Sequence, residues 1–124
     1  MRLYAYIYGV DKALNNRVVD ATKALQPAMM DLLFAKMACY FSVLSESTRL
    51  RIMYAICDGE KSVSEVVALC DSSQANISRQ LSALHKAGIL SRRKEGVTVF
   101  YAIADEGTVN MCQMLCAKIA QDLH

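Results

Sequence analysis

"DSSQANISRQLSALHKAGILSRRKEGVTVFYAI", residues 71–103, decides how this chain folds. Its first half has a helical period. Ile77, Leu81 and Leu84 recur at i, i+4, i+7 and make one apolar stripe. Asp71 or Ser72 can cap the start, and Gly88 stands where a helix ends. Opposite the stripe lie Gln74, Asn76, Ser78, Arg79, Ser82 and Lys86, all hydrogen-bonding or cationic. The second half changes period. "ILSRRKEGVTVFYAI" reads as a strand, a turn at Glu95-Gly96, and a second strand of strong β-formers.

Working outward toward the N-terminus, "SVSEVVALC" places Ser62 three residues before Glu65, the spacing of a capping box. That short helix is expected to bury Val63, Val66, Val67, Leu69 and Cys70. "DGEKS" gives a turn at Asp58-Gly59. In "SESTRLRIMYAIC", Ser45 or Ser47 can cap a helix on which Leu50, Met53, Ile56 and Cys57 share helical spacing. "AMMDLLFAKMACYFSVL" (28–44) is apolar all round, as a doubly buried helix would be. Toward the C-terminus, "DEGTVNMCQMLCAKIAQDLH" predicts a last helix with acids near its start and Lys118 in its later half, matching the macrodipole. Val109, Met111, Cys112, Leu115, Cys116 and Ile119 give it a wide apolar face. Residues 1–27 form an N-terminal extension; "RLYAYIYGV" there reads equally as a strand or as the start of a helix. The expected organisation is that extension followed by one domain over 28–124, mainly α with a β-hairpin (α+β).

Two helices joined by "DSS", the second with a polar exposed face and followed by a basic hairpin, match a winged helix-turn-helix. In that motif the second helix lies in the DNA major groove. Charge agrees with it. The net charge is +2, but residues 72–99 carry Arg79, Lys86, Arg92, Arg93 and Lys94 against Glu95 alone. A local excess of this kind is the footprint of a polyanion contact. Of the 124 residues 54% are hydrophobic, high for a small domain and consistent with surface hidden in an oligomer. No apolar run approaches the ~20 residues a membrane helix needs. The N-terminus lacks the apolar core and cleavage site of a signal peptide. Five cysteines without a CxxC pair suit a reducing compartment, so the cytoplasm is expected.

The blocks "STRLRIM", "SVSEV", "SQANISRQLSALHKAGIL", "RRKEG" and "FYAI" occur in the order and spacing of a known pattern. Through them, residues 44–103 resemble the ArsR/SmtB family of bacterial transcriptional repressors. The resemblance implies a homodimer, built through its first and last helices, that binds a palindromic DNA operator and is released by an inducer. It implies that Gln74, Ser78 and Arg79 face DNA. Gln and Ser can bond base edges, and Arg can take guanine or a phosphate. Ser73 caps the recognition helix or meets a phosphate. Arg92, Arg93 and Lys94 place charge beside the backbone at the wing, with Gly96 in its turn. His85 reads as a surface or phosphate-facing residue more than as a metal ligand.

The inducer has to be read from the thiols. The family's cysteine-rich run on the short helix is reduced here to Cys70, which reads as core. The last helix has no His except terminal His124, which disfavours a zinc or cobalt site of nitrogen and oxygen donors. Cys112 and Cys116 remain, one helical turn apart, with Cys39 on the first helix. Thiolates suit soft ions, so the leading expectation is As(III), Sb(III), Cd(II) or Pb(II), in other words arsenite, antimonite, cadmium or lead. The alternative is modification by reactive sulfur or oxidants. Family members that sense sulfur species carry a partner Cys on the "RLxIxC" helix, at the position of Tyr54 here; Cys57 lies three residues later. Cβ atoms at i, i+4 are about 5–6 Å apart, and a disulfide wants about 3.8 Å. A Cys112–Cys116 disulfide is therefore the weakest option. In the bland reading these cysteines only pack an interface. A small thiol enzyme is the distant alternative, because no Cys here is followed by an oxyanion-cradling loop.

Overall fold

The computed structural model describes residues 21–23 and 25–124. Most of the proposed 1–27 extension therefore lies outside the described residues. The described elements run α1 (Pro27–Val43), α2 (Ser47–Ile56), β1 (Lys61–Ser62), α3 (Val63–Cys70), α4 (Gln74–Lys86), β2 (Leu90–Glu95), β3 (Thr98–Ile103) and α5 (Glu106–Asp122). The described chain divides into two units, one ending at Cys39 and one running over 40–124, and the boundary falls within α1.

The core of the second unit is the α4 stripe and what covers it. Ile77, Leu81 and Leu84 are fully buried, against Ile52, Met53 and Ile56 of α2 and Val66 and Cys70 of α3. Ile89, Leu90, Tyr101 and Val109 close it from the hairpin and α5. The strands form an antiparallel sheet in the order β1-β3-β2. Its main register pairs Arg92 with Tyr101 and Arg93 with Phe100. β1 was not expected; two residues are too short to show a period, and Lys61 and Ser62 are strand only because Tyr101 and Phe100 pair with them. The hairpin turns at Gly96-Val97, one residue later than expected. Gly96 takes φ +63, a left-handed value that glycine adopts without a Cβ clash.

The caps explain where the helices start. The capping box of α3 is present: Glu65 N donates to Ser62 Oγ at 3.2 Å, and Ser62 N donates to Glu65 Oε1 at 3.2 Å. The cap of α2 is Glu46, whose Oε1 accepts from Thr48 N at 3.3 Å, not Ser45 or Ser47. Ser45 instead bonds back to the Ser42 carbonyl, at 2.7 Å. The cap of α4 is Ser73, whose Oγ accepts from Asn76 N at 3.1 Å. Asp71 is consumed by the turn itself, at φ +47, and the Ser72 hydroxyl takes the Asn76 side chain at 2.9 Å. Gly88, at φ +82, follows α4 and donates to the His85 carbonyl at 3.0 Å.

Two burial expectations need correction. Leu69 is 60% exposed: α3 buries Val66 and Cys70 and packs Val63 and Val67 half-buried against the core, and Leu69 falls off that stripe. No residue of α1 is buried, although its sequence reads as doubly buried. An all-round apolar pattern says that a helix seeks cover; it does not say which chain supplies it. The same holds on α5, where Val109 is buried and Cys112 half-buried, while Met114, Leu115 and Ile119 are exposed.

Candidate functional site

The polar face of α4 stands clear of the core. Gln74, Ser78 and Arg79 are exposed together, with Ser73 exposed at the N-terminal cap. The stripe Ile77-Leu81-Leu84 holds the helix down, so these side chains project the other way. Asn76 and Ser82, grouped with them by sequence, are half-buried. Asn76 is spent inside the protein: its amide donates to Ser72 Oγ at 2.9 Å, and its carbonyl accepts from Gln80 Nε2 at 3.3 Å. His85 is exposed; its Nδ1 lies 3.1 Å from the Leu90 carbonyl, and its ring meets Tyr101 edge-on.

On the wing, Arg92, Arg93 and Lys94 are all exposed. Arg93 is engaged. Its guanidinium donates to Glu60 Oε1 at 2.7 Å, to Glu60 Oε2 at 3.2 Å and to Glu95 Oε2 at 2.6 Å. It also lies over the Phe100 ring, 4.6 Å from the centroid. Hydrogen bonds from Arg93 hold the Glu60 carboxyl below its ordinary value and push the guanidinium pKa further up.

The thiols fall elsewhere. Between α2 and α5 lies an apolar groove of about 570 Å³. Cys112 and Cys116 line it from α5, and so does Cys57, with Leu50, Met53 and Tyr54, from α2. Cys57 is exposed, and its thiol donates to the Tyr54 carbonyl at 3.0 Å. Burial pushes the Cys112 thiol up from its ordinary pKa. It does the same to Cys70 in the core, where Arg51 opposes the shift. Cys39 is exposed on α1, at the end of the first unit. Among the described residues no three His, Cys, Asp or Glu side chains are grouped so as to hold a metal ion. Sequence reasoning placed Cys112 and Cys116 on one face but set Cys57 aside. Its signal was the stripe Leu50-Met53-Cys57 at i, i+3, i+7, which runs along one side of α2 into the groove.

Among the described residues no single helix is long and apolar enough to cross a membrane. Comparison with known proteins agrees with the fold. The family model described as "Bacterial regulatory protein, arsR family" matches residues 46–92. A transcriptional repressor SmtB homolog of Synechocystis sp. is 32% identical over 94 residues, covering 75% of this chain and 71% of that one. A cadmium resistance transcriptional regulatory protein CadC homolog of Staphylococcus aureus is 40% identical over 67 residues, 53% of this chain and 55% of that one. The structure of reduced HlyU from Vibrio cholerae superposes with a TM-score of 0.64 at 30% identity, over 70% of this chain and 92% of that one.

Proposed function

The chain belongs to the arsR family of bacterial regulatory proteins, DNA-binding winged helix-turn-helix regulators and not enzymes, and from that premise we propose that it is a homodimeric repressor released from a palindromic operator by a thiol-reactive inducer in the reducing cytoplasm. The observation that carries the DNA half is the face of α4, where Gln74, Ser78 and Arg79 are exposed together beside the basic wing. Gln74 and Ser78 read base edges, Arg79 takes guanine or a phosphate, and Ser73 sets the first turn against the backbone. Arg92 and Lys94 supply phosphate contacts, and Arg93 joins them where a phosphate displaces its carboxylate partners. The dimer forms through α1 and α5, whose exposed apolar residues need cover.

The inducer half rests on Cys112 and Cys116, one turn apart on the groove wall. The inducer is a soft ion of the As(III), Sb(III), Cd(II) or Pb(II) class, held by these two thiolates. Binding releases the protons that burial favours on Cys112. The name of the CadC homolog, a cadmium resistance regulator, supports this class. A second reading is favoured by Cys57 in the same groove. In it an inorganic polysulfide oxidises Cys57 and a thiol of α5 to a sulfur bridge and leaves as sulfide. Mass spectrometry of the protein after arsenite, cadmium and polysulfide separates the two. Protection of Cys112 and Cys116 by the ions supports the first. A sulfur bridge involving Cys57, with no ion bound, replaces it with the second. No change at any thiol removes both.

A further inference from the structure

A polar chain crosses the otherwise apolar packing of α2 on α4. Arg49, in the first turn of α2, donates through Nε to Gln80 Oε1 at 2.7 Å and through Nη1 to the Val43 carbonyl at 3.1 Å. Its Nε also lies 3.7 Å from Glu46 Oε2, a buried oxygen with no hydrogen-bond partner. Gln80 passes the chain along α4, donating from Nε2 to Asn76 Oδ1 at 3.3 Å. The same Asn76 oxygen accepts from Arg79 Nη2 at 3.4 Å, while Asn76 Nδ2 donates to Ser72 Oγ at 2.9 Å.

The direction of this chain is set at one end. A guanidinium can only donate. Arg49 therefore fixes the Gln80 amide with its oxygen toward α2 and its nitrogen toward Asn76. That in turn fixes Asn76 with its oxygen toward Gln80 and Arg79 and its nitrogen toward the turn at Ser72. Gln80 and Asn76 are half-buried, so a reversed amide would leave donors facing donors without free access to water. The exposed guanidinium of Arg79 thus takes its internal acceptor from an arrangement that begins on α2.

We infer that Arg49 and Gln80 are positioning residues for DNA recognition. They fix how α4 is turned on α2 and hold Arg79 at its working place, while touching no DNA themselves. This rests on the reading that α4 enters the major groove. It also joins the two halves of the proposed function, because α2 walls the thiol groove with Leu50, Met53 and Cys57 and grips the recognition helix with Arg49.

The test uses the full chain and a duplex selected from randomised DNA by the wild-type protein, with a scrambled duplex as the non-specific probe. The variants are Arg49→Lys, Gln80→Met and the pair. Lysine keeps a charge opposite Glu46 but replaces the guanidinium fork with a single point donor. Each single variant is expected to bind the selected duplex about tenfold more weakly and the scrambled duplex unchanged, and the double variant to be no worse than the weaker single, as coupled residues behave. Reselection with either variant should relax the preference at the base that Arg79→Ala also relaxes. The inference is overturned by wild-type affinity for the selected duplex, by equal losses on both duplexes, or by losses that multiply in the double variant. A lowered melting temperature with operator affinity intact overturns it too, since the role is then only structural. A wild-type protein that selects no preferred duplex fails differently: it overturns the reading of α4 itself.

Discussion

Cys112 and Arg93 show how far a residue's chemistry depends on its neighbours. Cys112 is half-buried in the groove wall, and burial favours its neutral thiol. The thiolate is the nucleophile, so Cys112 should be alkylated by iodoacetamide more slowly than the exposed Cys116 at neutral pH. Its rate should go on rising at pH values above the ordinary thiol range; peptide mapping of a timed alkylation at several pH values measures this. Arg93 has the reverse problem, a charge already claimed by Glu60 and Glu95. Replacing Arg92 or Lys94 by Ala should lower the slope of log affinity against log salt by about 1 each. Arg93→Ala should lower it less. The Glu60 carboxyl is held low by Arg93, so the pair's contribution is present above the ordinary carboxyl value and lost as pH falls through the folded one. Protection factors of the β2 and β3 amides, corrected for the intrinsic pH dependence of exchange, should therefore fall below the ordinary carboxyl range and stay unchanged between about pH 6 and 8.

At the scale of the element, two energies are predicted for the helices that position the site. Ser62→Ala removes the capping box of α3 and should cost about 1 kcal/mol. Leu84→Ala opens the fully buried stripe beneath α4 and should cost about 2–5 kcal/mol. Urea unfolding checks both. The contrast between these elements also shows what a sequence can carry. The α4 stripe, the Ser62-Glu65 box and the paired strands were legible because each is local, a period or a spacing within a few residues. The cap of α2 fell between the two serines offered, and at α4 local spacing offered Asp71 or Ser72 while only the family resemblance named Ser73, because "SES" and "DSS" hold several polar residues and the turn geometry selects among them. The Arg49–Gln80 bond, between residues 31 apart, has no local signature at all. Of the two carboxylates that engage Arg93, Glu95 is two residues away but Glu60 lies 33 positions off and has no local signature.

For the whole molecule, the question is what covers α1 and α5. Their apolar residues read as buried in the sequence, yet one chain leaves all of α1 and most of the α5 face uncovered. If two copies cover them, Leu115→Glu on α5 should give a monomer by sedimentation. It should also lose operator affinity by on the order of 100-fold or more, because each half-site then binds alone. The central claim is that DNA binding on α4 and thiol chemistry on α5 are separable functions of one molecule. Fluorescence anisotropy of the selected operator duplex, titrated with arsenite, tests it in the wild-type protein and in the Cys112→Ser, Cys116→Ser double variant. Equal operator affinity is expected for both proteins, with release of the wild type alone. Release of the double variant at the same arsenite concentration would contradict the claim.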